Sequence, residues 1–408
     1  MKKILKKIWK IIDKILSVIS IFFIKIYQFT LSPDKWLPSL RLKWKVCIHE
    51  PHCSQYGLNT FKRYGFFKWI FKVMDRVLHC TGWTTKIYDP DHYKVVFFSS
   101  AEIWIPFLDR LAHDKRFEVF WVVTNPDEKS WRGMEMKENV IKKYGKLLNI
   151  EKIATPTKIN PSKSEEGIEF CNRLNALNPD FLVVIAYGKI IPKAILDIPK
   201  VAPINIHGSI LPKYRGASPI QSVLLNNEEE TWITVMKMAE GMDTGDMIDT
   251  WKFKIPFDWT TKNLIEKMKA DWPKFFCDTL RKYGKRMLGN VAQNDSKATY
   301  CSKIEKESWL INPFSDTLES IYAKYRAYYL WPKIYFIMGE EFGNHKWKRV
   351  IIEELKLNQE NYDQNKEKFL INWKKLNPYV EKIILKPEGK KGMDWSSFVQ
   401  GYLSLSQS

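Results

Sequence analysis

The sequence predicts an α/β protein: an open, parallel sheet with helices on both faces. A small basic helical segment precedes it and a strand-rich domain follows. Three observations support this. Apolar runs of strand length recur at Lys94–Phe98, Val119–Val123, Phe181–Ile185, Ile204–His207 and Thr234–Met238, with helical spacing between them, as around Pro106–Leu111. The texture changes near Pro90, where a lysine-rich stretch gives way to the first of those runs. It changes again near Thr299, beyond which aromatic and β-branched runs such as Lys333–Met338 and Arg349–Glu353 recur. Finally, Asn205, His207 and Asp243 fall at or just past the carboxyl ends of the expected strands, where open α/β sheets bind ligands. The expected domains are therefore 1–93, 94–298 and 299–408.

A chain of 408 residues with 45% hydrophobic and 27% charged content buries a sizeable core, which sets it apart from disordered and fibrous classes. Its formal net charge of +19 is unevenly spread. Residues 1–93 hold 17 Lys/Arg against 6 Asp/Glu, and residues 301–408 hold 17 against 14. A basic excess predicts anionic partners. Cys171, Cys277 and Cys301 are scattered and read as structural thiols. Cys47, Cys53 and Cys80 cluster in the basic part without a zinc-ligand spacing, and their redox state stays open.

At the N-terminus, Lys2, Lys3, Lys6, Lys7, Lys10 and Lys14 interleave with isoleucines, leucines and Trp9. The uncharged stretch Ile15–Ile24 is about half of the ~20 apolar residues that span a bilayer. The pattern predicts a basic amphipathic helix lying on an anionic membrane surface. Two other readings remain: a signal peptide, though a small-residue cleavage site is lacking, and a helix that packs on its own domain.

The chemistry concentrates in Asn205-Ile-His207-Gly-Ser209-Ile-Leu-Pro212, followed by Tyr214-Arg215-Gly-Ala-Ser-Pro-Ile-Gln221 and Asp243-Thr-Gly-Asp-Met247. Residues two apart on a strand share a face, so Asn205 and His207 point the same way. An amide, an imidazole and a carboxylate suit acyl transfer to an amine. Asn205 and a protonated His207 can donate to an oxygen that gains charge, Asp243 can orient the ring, and Asp243 or a water can take the proton from the amine. This chemistry requires no metal.

These strings resemble the methionyl-tRNA formyltransferase family from about residue 94 to 408. The family's Ser-Leu-Leu-Pro loop appears as Ser209-Ile210-Leu211-Pro212, its Arg-Gly-Ala-x-Pro-Ile-Gln run as Arg215–Gln221, and its Asp-Thr-Gly-Asp-Met unchanged; the strand ending Ala186-Tyr187-Gly188-Lys-Ile-Ile-Pro192 also matches. The resemblance implies a Rossmann-like domain with Asn205, His207 and Asp243 as catalytic trio. It implies 10-formyltetrahydrofolate as donor, held near Ser209, Ile210, Leu211, Pro212, Tyr187 and Gly188. The family's loop reaching the acceptor end of initiator methionyl-tRNA would be Arg132-Gly133. Ser302–Glu307, Trp331-Pro332 and Gly389–Met393 match the family's C-terminal domain, an open OB-like β-barrel that helps hold tRNA.

The N-terminal part has a second resemblance, over roughly residues 20–91. Tyr27-Gln28, Leu31-Ser-Pro33, Cys47, Cys53-Ser-Gln-Tyr56, Arg76-Val-Leu-His79-Cys80 and Asp89-Pro90 are similar to the YidD-type membrane protein insertion efficiency factors. That resemblance implies peripheral attachment to the inner face of the cell membrane, beside a membrane insertase, with the enzyme on the cytoplasmic side. Two alternatives are a sugar-nucleotide N-formyltransferase, which shares the Asn, His and Asp, and an insertion factor with a non-functional transferase part. The Ser-Pro-Ile-Gln continuation and the C-terminal domain favour tRNA over the first, and the intact trio disfavours the second.

The chain holds 17 Trp against only 18 Gly, where Gly averages roughly 7% of residues. Trp104, Trp131 and Trp232 stand where relatives of this kind carry or favour Gly, and Trp36 is a weaker case, whereas Trp331 stands where they carry Trp. A source organism that reads UGA as glycine would produce this pattern. Large rings at such positions would then be expected to splay into solvent or distort their loops. The gene is expected to carry UGA at codons 104, 131 and 232 and UGG at 331; UGG at all four would retire the idea.

Overall fold

In the computed structural model the described residues are 2–30, 49–78, 87–129, 136–339, 348–358, 370–372 and 375–402. The chain opens with three helices, α1 (Lys2–Thr30), α2 (Cys53–Tyr64) and α3 (Phe66–Leu78). The lysine-rich stretch is one continuous 29-residue helix, and one side of it packs on its own module. Asp13 of α1 accepts a hydrogen bond from the Phe66 amide at 2.8 Å, satisfying one of the donors that every helix start leaves open. Gly65, at φ 75° between α2 and α3, lies against that carboxylate, and a Cβ there would meet Asp13 Oδ2 at 2.0 Å. Phe61 and Trp69 stack at 4.0 Å inside the module. Buried Arg76 donates to the carbonyls of Pro51 and Asp89 and lies over the Tyr56 ring, joining the two chain segments that leave the bundle.

The central sheet has seven strands: β1 (Tyr93–Phe98), β2 (Phe117–Val123), β3 (Lys152–Ala154), β4 (Phe181–Val184), β5 (Ala202–His207), β6 (Glu230–Lys237) and β7 (Met247–Lys254), in the order 7-6-5-4-1-2-3. β1 to β5 pair in parallel. β6 does not: it runs antiparallel to both β5 and β7. This corrects the expectation for Thr234–Met238. Between β5 and β6 the chain leaves the sheet, pairs at Arg215-Gly216 with Tyr300-Cys301, and returns through the short α8 (Pro219–Leu225), so that it re-enters beside β5 in the opposite direction.

Tyr93-Lys-Val-Val-Phe-Phe98 is apolar on both faces because helices cover both. Val95 and Phe97 join Phe107 and Leu108 of α4 (Ile105–His113) and Phe276 and Leu280 of α9 (Thr261–Gly284). Val96 and Phe98 join Phe170 and Leu174 of α6 (Glu165–Leu177) on the opposite side. Between them α5 (Val140–Leu147) and α7 (Lys193–Leu196) complete the layers.

The C-terminal domain is strand-rich, as expected. Among the described residues it is an open antiparallel sheet, β8 (Tyr335–Ile337), β9 (Arg349–Leu357), β10 (Val380–Pro387) and β11 (Met393–Asp394), with α10 (Leu318–Ala327) and α11 (Trp395–Tyr402). Its core of Leu318, Ile321, Val350, Ile352 and Leu385 runs on into Val223, Leu224 and Leu264 of the central domain. Cys53, Cys171, Cys277 and Cys301 are thiols outside disulfides; Cys47 and Cys80 lie outside the described residues.

Trp104 departs from the expected behaviour of a misplaced ring. It is 8% exposed and packs edge-on against Phe107 at 5.3 Å in the core under α4. Trp232 is half-buried on β6 with the Lys252 ammonium over its ring; Trp36 and Trp131 lie outside the described residues. Where the codon is UGG, Trp104→Ala is expected to cost about 3–5 kcal/mol of stability, read as a lowered urea midpoint. An unchanged midpoint would show that the ring is not held in this core.

Candidate active site

The carboxyl end of β5, the β6 residues paired with it and the loop that follows β6 build the site. Pairing of Asn205 with Met236 and of His207 with Thr234 fixes the strand register, and the pleat turns Asn205 and His207 to one face. Asp243 comes from the loop between β6 and β7 and has φ 52°, a left-handed backbone that Asp tolerates better than most residues. Its Oδ1 accepts from Asn205 Nδ2 at 3.4 Å. Its Oδ2 accepts from the Gly216 amide at 2.9 Å and faces His207 Nδ1 at 3.6 Å. The three side chains singled out from sequence thus converge on one carboxylate.

The His207 ring is only 5% exposed, and its Nε2 donates to the Tyr214 carbonyl at 2.8 Å. A carbonyl only accepts, so Nε2 carries a proton. Nδ1 is therefore the nitrogen left for chemistry, and donation from it needs a doubly protonated ring.

The loop carrying Asp243 is braced from behind by residues with no role in the sequence reading. Gln293 Nε2 donates to the carbonyls of Asp243 and Gly245, both at 2.7 Å. Gln293 Oε1 accepts from Arg215 Nε and Nη2 at 3.0 and 2.8 Å. Arg215, 2% exposed, also pairs with Asp295 at 2.7 Å. Gly245 is required here because a Cβ would stand 1.8 Å from the Lys237 carbonyl. No local pattern around Gln293 signals this contact; only the return of the chain from α9 brings it to the loop.

The residues expected to touch a folate divide. Ser209 and Leu211 are buried: Ser209 Oγ donates to the Lys213 carbonyl, its own carbonyl accepts from Thr234 Oγ1, and the Leu211 amide donates to that same hydroxyl. Their side chains shape the loop, leaving Ile210 and Pro212 half-exposed. The Tyr187 side chain is likewise turned inward, edge-on to Phe98, and burial holds its phenol well above the usual tyrosine range. Its carbonyl accepts from Ser100 Oγ and Asn125 Nδ2. Gly188 follows at φ 80°, and Ile190 on the same loop is 86% exposed. Beside Thr244 and Gly245 a cleft of about 400 Å³ opens between α7 and the β6–β7 loop, walled by Leu196, Pro203, Met238, Lys193 and Glu240. Arg132 and Gly133 lie outside the described residues; Glu128–Lys129 and Met136–Lys137 on either side of them pair antiparallel. Among the described residues no group of His, Cys, Asp and Glu is placed to hold a metal.

Comparison with known proteins agrees with this architecture. Residues 93–280 match the formyl transferase family, 303–403 the formyl transferase C-terminal domain, and 16–92 the YidD membrane protein insertion efficiency factors. Methionyl-tRNA formyltransferase of Clostridioides difficile is 34% identical over 261 residues, 64% of this chain and 81% of the relative. That of Caldicellulosiruptor saccharolyticus is 32% identical over 318 residues, 76% of this chain and 96% of the relative. A sugar 3N-formyl transferase of solved structure is more distant, at 18% identity and TM-score 0.48 over 74% of this chain and 97% of that one. With a YidD segment ahead of a formyl transferase domain and its C-terminal partner, the chain belongs to the methionyl-tRNA formyltransferase family.

Proposed function

We propose that the chain transfers a formyl group from 10-formyltetrahydrofolate to the amino group of initiator methionyl-tRNA through Asn205, His207 and Asp243. The observation that supports this assignment of residues is the shared carboxylate: Asp243 meets Asn205 and faces His207 at the carboxyl end of β5. The cleft beside Thr244 suits a folate ring, since Leu196, Pro203 and Met238 offer apolar walls and Lys193 and Glu240 polar edges. The bound folate supplies the activated formyl carbon. Asn205 spends one amide hydrogen on Asp243 and has a second to donate to the oxygen that gains charge as the amine adds. His207 Nδ1, when protonated, adds a donor from the same face. Asp243 accepts the proton the amine loses, directly or through a water, and returns it to the departing folate nitrogen, so the new carbon–nitrogen bond replaces the old one with no net change in protons.

Lys and Arg side chains contacting phosphate support tRNA binding, and Arg132-Gly133 are the proposed contacts to its acceptor end. We further infer that residues 1–93 dock the enzyme on the inner, cytoplasmic face of the cell membrane and near the insertase. No described helix is long and apolar enough to cross a membrane, and the basic amphipathic α1 supports a peripheral mode.

Formyl transfer to charged initiator tRNA, with an amino-sugar nucleotide as competitor, tests the reading. Turnover is expected with tRNA alone, and His207→Ala or Asp243→Ala should each lower it by ~10²–10⁴-fold in a folded protein. Near-normal turnover in either variant would remove the trio, and preference for the sugar nucleotide would reassign the substrate. Gln293→Glu puts a carboxylate against two carbonyls and is expected to lower kcat by up to about 100-fold through misplacement of Asp243, with KM for tRNA little changed. Unaltered kcat would show that the loop holds its shape without the brace.

A further inference from the structure

The N-terminal module presents two bare apolar stripes that its own packing leaves uncovered. α1 turns Asp13 and Ile24 inward, toward Phe66 and Gly57. On the other side of that helix Ile15, Ile19, Phe22 and Ile26, spaced four, three and four apart, are all exposed. α3 repeats the arrangement. Trp69 and Arg76 face the interior, while Phe67, Phe71 and Met74 form an exposed stripe at i, i+4 and i+7, with Phe71 75% exposed. The exposed apolar face of α1 extends beyond this stripe through Ile12 and Phe23 to Trp9, and it reaches α3 where the rings of Trp9 and Phe67 stand 5.0 Å apart. Contiguous exposed apolar surface of this kind marks an interaction site.

Charge says what covers it. Lys14 and Lys25 are exposed on one flank of α1, by helical spacing between the inward side and the bare stripe, and in the sequence Lys3, Lys7 and Lys10 continue the same helical period. A cationic row beside a long apolar stripe is the arrangement of a helix lying in the headgroup layer: the stripe enters the acyl boundary and the ammonium groups meet anionic phosphates. At about 1.5 Å per residue, the 29-residue α1 is some 40 Å long, so a row along it can meet many headgroups at once.

The rest of the fold determines how such a contact would orient the enzyme. The module meets the catalytic domain at the amino ends of the sheet strands. Tyr64 donates to the Lys115 carbonyl and Arg63 to the Phe117 carbonyl, at the start of β2. Tyr88 donates to Asp180, just before β4, and Lys285, after α9, pairs with Asp89 at 3.1 Å. α3 turns Lys72 and Arg76 toward this seam, where they line a small cavity with Arg116, Arg281 and Lys285, and its apolar stripe away from it. Asn205 and His207 stand toward the other ends of the strands, about 13 and 20 Å along the sheet from the level of Asp180.

We propose that Phe67, Phe71 and Met74 of α3 join the outward stripe of α1 in a single plane that rests on an anionic lipid surface, with the catalytic cleft held on the side facing away from the bilayer. This rests on the membrane reading above and adds a second contact element and a fixed orientation. The cleft then stays open to tRNA while the enzyme is docked.

The test uses the full-length protein with phosphatidylcholine vesicles, with and without phosphatidylglycerol. Wild type is expected to sediment with the phosphatidylglycerol vesicles. Phe71→Glu with Met74→Glu should weaken that partition by at least about tenfold, while Phe71→Leu keeps it. Both positions are solvent-exposed and remote from the trio, so tRNA formylation without vesicles, measured alongside, confirms that the variants are folded. Vesicle-bound wild type should formylate tRNA within about twofold of the free enzyme, since docking leaves the cleft uncovered. Wild type that ignores anionic vesicles would overturn the membrane reading itself. Binding by the double variant equal to wild type would overturn the α3 plane alone. Binding that suppresses formylation would overturn the orientation.

Discussion

A guanidinium with 2% exposure is costly to bury unless every face of it finds a partner, and what Arg215 collects ties the active site to the rest of the chain. Gln293 takes two of its donors and Asp295 completes the charge. Through Gln293 the same group reaches the carbonyls of Asp243 and Gly245, so the shape of the loop carrying Asp243 is set from behind by a buried cation. The backbone of Arg215-Gly216 meanwhile pairs in parallel with Tyr300-Cys301, where the chain leaves for the C-terminal domain. Gly216 permits that pairing, since a Cβ would stand 2.1 Å from the Cys301 carbonyl, and its amide binds Asp243. One short segment therefore touches the Asp243 carboxylate, its brace and the link between domains.

Asp243 works as a hub because its loop is held from behind. Its backbone is left-handed, and its carbonyl and that of Gly245 both accept from the Gln293 carboxamide, which leaves it little freedom to swing toward solvent. Its oxygens are apportioned in advance, one to Asn205 and one to Gly216, with His207 Nδ1 facing the second. Prior placement of charge and donors saves the reorganisation that water would have to undergo during reaction.

Much of this was legible in sequence, for identifiable reasons. The buried strands showed as uninterrupted apolar runs because helices cover both faces of the sheet, and Asn205 and His207 could be paired because a strand repeats every two residues. The antiparallel turn of β6 was not legible, since direction depends on how much chain intervenes and where it packs. Ser209, Leu211 and Tyr187 were recognisable as part of the site's motifs, but their inward orientation follows from contacts with Thr234, Lys213 and Phe98 that lie elsewhere in the sequence. Gln293 was invisible for the same reason. Trp104 shows the converse: a ring that looks out of place in a motif is accommodated by a core that the motif does not reveal.

The seam has a consequence for the order in which the protein can assemble. α1, α2 and α3 contact one another within the first 78 residues, through Asp13, Gly65 and the Phe61–Trp69 stack. Tyr88, in contrast, finds its acceptor in Asp180, and Asp89 finds its ammonium partner in Lys285. On a ribosome these partners emerge long after the helices that precede them. The N-terminal helical module is thus complete in its local contacts while the transferase is still being made, and the clasp between them closes only once α9 has been synthesised.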